Sequence, residues 1–154
     1  MKEHKATLYR DVILDHARQP RNAGRLERPD LAGSAVNALC GDEAHVTLVL
    51  RDGAIGAIGM QVRGCVISQA AASLVSECVR AKTLAEVADL EREFRAVMEG
   101  TGMPGPGGGR GSSELPPRLA ALQPLVDVKQ HRSRIGCTLL PWQALLAVEP
   151  AAHS

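Results

Sequence analysis

The chain has 154 residues, a length that suits one compact domain. Its 18 basic and 17 acidic residues leave a net charge of +1. That balance gives the chain no electrostatic reason to seek nucleic acid or an anionic membrane surface. Tyrosine, phenylalanine and tryptophan occur once each, too few for a base-stacking or sugar-stacking surface.

Hydrophobic residues make up 45% of the chain, as in ordinary globular domains, and no apolar run approaches the ~18 residues of a membrane helix. Asp11 and Asp15 interrupt the apolar pattern of the first twenty residues, so no secretory core is present. The expectation is a cytoplasmic protein.

In chain order, Leu8, Val12 and Ile13 fall at helical spacing, which predicts a helix over 6–18 with Pro20 as its stop. Residues 19–24 read as a turn and 36–39 as extended chain. Residues 45–51 alternate as a strand, Asp52-Gly53 is a hairpin signal, and 54–62 is the return strand. Gly59 marks a weak point there, read as a bulge.

The period then changes. Ala71, Leu74, Val75 and Cys78 form one helical face, and Thr83 to Glu86 is a capping-box pattern ahead of a further helix ended by Gly100. Residues 100–113 hold seven of the 15 glycines and predict a mobile insertion within a single 1–154 domain. Thr138 is the expected cap of a last helix bearing Trp142, Leu145 and Leu146, with Pro141 in its first turn. This order predicts an α+β fold: an N-terminal helix, a small three-stranded antiparallel sheet, and helices packed on one face.

Four cysteines remain to be explained: Cys40, Cys65, Cys78 and Cys137. In a chain of this size with no export signal, metal binding or thiol chemistry outranks disulfides, and no C-x-x-C pair is present. Cys78 lies on the apolar stripe of its own helix and reads as a small buried hydrophobe. The other three each adjoin a glycine at an element boundary, where backbone approaches a ligand closely.

Cys65 and Cys137 are expected near helix N-termini, Ser68 and Thr138 being the expected caps, where a thiolate is favoured. Asp42, two residues from Cys40, adds a carboxylate. Together Cys40, Asp42, Cys65 and Cys137 make an S₃O donor set suited to tetrahedral Zn²⁺ or to iron with sulfide. Asp42 is otherwise a turn-former, His45 and His131 are expected to face solvent, and three sulfurs beside Glu43 favour sulfur chemistry over water activation.

Four ordered motifs carry a family resemblance: LYRDVILDHARQPRNAG, NALCGDEAHVTL, GCVISQAAASL and RIGCTLLPWQAL. With them, residues 8 to about 148 resemble the U-type iron–sulfur cluster assembly proteins. Within these the chain is most similar to the SufU-like branch, which has an insertion before the last cysteine and a tryptophan in the final helix. IscU-like members carry a histidine where this chain has Gly136, and SufU-like members usually a lysine.

The resemblance implies an α+β fold and a metal held by Cys40, Asp42, Cys65 and Cys137. It implies a zinc-dependent sulfur acceptor that takes persulfide sulfur from a pyridoxal-phosphate cysteine desulfurase (SufS-like) and passes it to downstream Suf assembly proteins. Cys137 is then the acceptor, and Arg134 steers the anionic persulfide. The alternative is an IscU-type scaffold on which iron and sulfide form a [2Fe–2S] cluster; a third reading is a purely structural zinc module.

Overall fold

The computed structural model describes residues 2–100 and 114–151, so most of the glycine-rich segment 100–113 lies outside the described residues. The chain forms α1 (Lys2–Arg18), β1 (Leu31–Val36), β2 (Glu43–Arg51), β3 (Ala54–Arg63), α2 (Val66–Cys78) and α3 (Leu84–Glu99). After the undescribed segment come 3₁₀ turns at Pro117–Leu122 and Asp127–Gln130 flanking α4 (Gln123–Val126), then α5 (Arg132–Leu146) and β4 (Glu149–Pro150). The antiparallel sheet has the order β3-β2-β1-β4, so a two-residue fourth strand joins the expected three.

The hairpin is where the Asp-Gly pair places it. Asp52 and Gly53 have φ of 53° and 82°, the paired positive values of a tight turn whose twist matches that of the strands it joins. The bulge is not at Gly59. Register slips between Val49 and Leu50, which pair with Ala57 and Ile55 and leave Gly56 unpaired. Gly59 stays in register opposite Thr47, and its bareness serves a close approach: a Cβ there would lie 2.6 Å from the Gly24 carbonyl oxygen.

Two further elements start elsewhere than expected. The strand before the first cysteine is 31–36 and not 36–39, because the chain turns at Asn37. There the Asn37 N–H donates to the Asp42 carbonyl at 2.8 Å and Gly41 N–H to the Asn37 carbonyl at 2.7 Å. The Asn37 side-chain oxygen also accepts from Leu39 N–H at 3.0 Å, the local closure that favours asparagine in turns.

The last helix begins at Arg132, six residues ahead of Thr138. Thr138 is fully buried, and its hydroxyl donates back to the Ile135 carbonyl at 2.7 Å. Pro141 consequently sits inside α5. It lacks the N–H that the carbonyl of Cys137, four residues earlier, would otherwise accept.

Alternate residues of β2, Ala44, Val46 and Leu48, are at most 1% exposed; α5 lies on β1 and β2, α2 lies on β3, and the two helices pack on each other. Helix α1 packs on α2, and α3 on α5. Phe94 and Trp142 meet at the centre with ring centroids 5.9 Å apart. Truncating either ring to alanine would cost roughly 3–5 kcal/mol.

Helix α3 carries the expected capping box between Thr83 and Glu86 and ends on left-handed Gly100. Its buried stripe is Val87, Leu90, Phe94 and Met98. Polar bonds then fix the end of α1 to α2: His16 Nδ1 lies 2.7 Å from Ser73 Oγ, which also accepts from Arg21 N–H at 2.8 Å. Burial holds the His16 pKa below its usual value. Among the described residues no helix is long and apolar enough to cross a membrane.

Candidate metal centre

Three segments distant in sequence meet at one end of the sheet: the β1–β2 turn, the start of α2 and the second turn of α5. The first supplies Cys40, which is exposed, and Asp42, which is 8% exposed. Gly41 between them has φ of 77°, a conformation that suits glycine and lets the turn close.

The buried Asp42 carboxylate is well supplied with donors. Its Oδ2 accepts from Ser68 Oγ at 2.7 Å and from Cys65 N–H at 3.3 Å. The Ser68 bond outweighs burial and holds the Asp42 pKa below its usual value, so the group stays anionic. Gly64 makes the approach possible: a Cβ there would stand 2.5 Å from the Asp42 Cγ.

Cys65 caps α2 with its own sulfur, accepting from Ser68 N–H at 3.5 Å, so Ser68 is not the cap expected from the sequence. The serine hydroxyl is released to bond Asp42 and lies 3.6 Å from the Cys65 sulfur. Burial acts to raise the Cys65 pKa, but bonds from Ser68 backbone and hydroxyl, from Cys137 and from Ile67 N–H together bring it below the usual thiol value.

Cys137 differs from its expected setting. It lies inside α5, 2% exposed, and not just ahead of a helix N-terminus. Burial pushes its pKa up to about 12, and its thiol donates weakly to Asp42 Oδ2 at 3.9 Å. Of this thiol pair, Cys65 is therefore the one that ionises first.

Among the described residues, one ligand atom each from Cys40, Asp42 and Cys137 lie within 4.8 Å of one another. Cys65 stands beside this trio, bonded to Ser68 and through its N–H to Asp42, without being one of its three members. Arg134 is exposed on α5, one turn before Cys137. His45 and His131 are exposed, His45 Nε2 lying 3.6 Å from Glu43 Oε2. Cys78 is half-buried against the core, with its thiol 3.8 Å from the Arg118 carbonyl.

Residues 8–106 match the family profile described as the NifU-like N-terminal domain. The chain belongs to this family. Cys40, Asp42 and Cys65 lie in the matched region and Cys137 beyond it.

Two curated relatives extend the likeness over nearly the whole chain. One is named zinc-dependent sulfurtransferase SufU, from Bacillus subtilis, 29% identical over 90% of this chain and 87% of its own. The other is named iron–sulfur cluster assembly scaffold protein IscU, from Thermotoga maritima, 28% identical over 90% of this chain and 89% of its own. The solved N-terminal domain of a NifU-like protein from Brucella abortus superposes with a TM-score of 0.74 at 26% identity, covering 90% of this chain and 89% of that one. The α+β architecture is thus that of the NifU-like family.

Three features of the site were not read from the sequence: the Ser68 hydroxyl on Asp42, the glycine cradle at Gly64, and the packing of Asn37 against α5. Each joins residues at least 22 positions apart, so no local pattern announces them.

Proposed function

We propose that this chain is a zinc-dependent sulfur acceptor of iron–sulfur cluster assembly. It takes persulfide sulfur from a pyridoxal-phosphate cysteine desulfurase of the SufS kind and passes it to downstream Suf assembly proteins. The observation that carries this reading is the compact trio of Cys40, Asp42 and Cys137, whose donor atoms lie within 4.8 Å of one another. Tetrahedral zinc with Zn–S bonds near 2.3 Å has sulfurs ~3.8 Å apart, so the trio fits a single ion with little adjustment. Cys65, whose neighbour Ser68 also holds Asp42, is the fourth donor in this reading. Bound zinc would keep the thiols ionised at neutral pH and hold their sulfurs together.

The chain's own residues supply the rest. Asp42 stays anionic through Ser68 and balances a bound cation. Cys137 is the acceptor: its thiolate attacks the outer sulfur of the donor's persulfide, and a new S–S bond forms on Cys137. The donor's S–S bond breaks and its cysteine leaves as a thiolate, so no external oxidant or reductant is consumed. Because Cys137 is only 2% exposed, acceptance requires local opening. Pro141 favours it, since the Cys137 carbonyl has no helical donor to hold it. Arg134, exposed one turn earlier, attracts the anionic persulfide. The free state of the four thiols suits a reducing cytoplasm.

The test is turnover of a SufS-type cysteine desulfurase with and without the chain. The wild-type protein stimulates it, and Cys137→Ala, while still folded, does not. Undiminished stimulation by that variant would remove Cys137 from the acceptor role.

A second reading, a scaffold for a [2Fe–2S] cluster, draws on the likeness to the Thermotoga IscU and on donors that serve iron as well as zinc. Anaerobic reconstitution with iron and sulfide separates the two. A stable chromophore that transfers efficiently to an apo-acceptor favours the scaffold.

A further inference from the structure

The turn that carries Cys40 and Asp42 touches α5 through Asn37, and this contact is unusual on both sides. On one side the Asn37 side chain is fixed: its Oδ1 accepts from Leu39 N–H at 3.0 Å, so its amide nitrogen points the opposite way. That Nδ2 is buried and has no hydrogen-bond partner among the described residues. A buried donor without a partner calls for an explanation.

On the other side stands Gly136, the residue before Cys137, inside α5. A Cβ on Gly136 would lie 2.7 Å from Asn37 Nδ2 and 3.5 Å from its Cγ. Glycine inside a helix is normally a loss relative to alanine, so the fold tolerates it here for the room it leaves.

From this contact we infer that Asn37 is a positioning residue of the metal centre. Seated on the bare backbone of Gly136, it sets the distance between the turn bearing Cys40 and Asp42 and the helix bearing Cys137. The inference rests on the metal reading above and assigns to Asn37 and Gly136 a role in metal affinity, not in coordination. Asn37 reaches the ligands through the backbone. Its carbonyl accepts from Gly41 N–H at 2.7 Å and its N–H donates to the Asp42 carbonyl at 2.8 Å, so a shift of Asn37 carries both flanks of the turn.

A side chain at 136 would push out the far end of a side chain and not a backbone segment. The helix would therefore persist while the Leu39 bond and the spacing were lost. The two effects have opposite signs: helix propensity favours Gly136→Ala, and metal binding opposes it.

The experiment compares wild type, Asn37→Ala, Gly136→Ala and the double variant. Zinc affinity is measured by competition with a chromophoric chelator, melting of the metal-free protein is followed in parallel, and Co²⁺ is added as a spectroscopic probe of thiolate ligation. Gly136→Ala is expected to melt no lower than wild type without metal, yet to bind zinc ~10–100-fold more weakly, the usual range for a residue supporting metal ligands. Its thiolate-to-cobalt band is expected to weaken, and Asn37→Ala is expected to lose affinity similarly. In the double variant the alanine methyl occupies space that Asn37 vacated, so its loss is no larger than that of either single variant.

Wild-type affinity in both single variants, or losses that multiply in the double, would overturn the inference while leaving the metal reading intact. A wild-type chain that retains no zinc against the chelator would overturn both. Asn37→Ala carries the test if Gly136→Ala fails to fold.

Discussion

Ser68 donates its hydroxyl to Asp42 at 2.7 Å, joining the first turn of α2 to the β1–β2 turn across 26 positions of sequence. The bond holds a buried carboxylate at the point where Cys40 and Cys137 meet it and Cys65 stands alongside. It is possible because Cys65, and not Ser68, caps the helix. With Cys65 as the cap, the serine hydroxyl is left to the site and a sulfur stands at the positive end of α2.

Removing that support should weaken metal binding without removing a ligand. Ser68→Ala leaves the Asp42 carboxylate short of its shortest hydrogen bond, and Gly64→Ala drives a methyl group against it. Each is expected to lower zinc affinity ~10–100-fold in chelator competition. Unchanged affinity in both would mean that Asp42 needs neither contact.

The thiols should differ in reactivity when metal is stripped. Cys65 has a lowered pKa, whereas Cys137 is buried and pushed up to about 12. Pulse alkylation at neutral pH, read by peptide mass spectrometry, is expected to label Cys65 well before Cys137. Added zinc should protect Cys40 and Cys65 together. Labelling of Cys137 ahead of Cys65 in the metal-free protein would contradict this picture of the pair.

His16 should make stability depend on pH. Burial lowers its pKa from the usual 6.5, with Arg21 lowering it further and Glu77 and Asp15 opposing. The unfolded chain therefore binds the proton more readily than the folded one. Stability from this group is complete above about pH 6.5 and is lost as pH falls from there towards the folded-state value. Urea midpoints at pH 7.5 and pH 5 should differ more for wild type than for His16→Gln. An equal difference in both proteins would exclude His16 as the source.

Local signals were legible and long-range ones were not. The Asp52-Gly53 hairpin, the Thr83–Glu86 capping box and the Gly100 stop all appear as expected, because each depends on neighbours within four residues. The start of α5 was misplaced because His131 offers no side-chain cap and Gly136 breaks the helical pattern; burial of 137–142 against the core decides the matter. β1 escaped its expected place because its Leu-Ala-Gly-Ser-Ala-Val sequence is poor in strand formers. Its glycine exists for close packing: a Cβ on Gly33 would lie 2.4 Å from the Ala144 carbonyl oxygen.

The site residues were readable as chemical types at element boundaries, and Cys40, Asp42 and Cys137 do meet. Their electrostatics were not. The sulfur expected at a helix N-terminus in α5 is instead buried in its second turn, so burial and not the helix dipole sets its pKa.

The most direct test of the account is the metal content of the purified chain and of Cys40→Ser, Asp42→Ala, Cys65→Ser and Cys137→Ser, measured after zinc loading and desalting. The wild type is expected to retain about one zinc per chain and each variant distinctly less. A wild type that emerges free of zinc, or four variants that all keep it, would contradict the claim that these residues hold one ion.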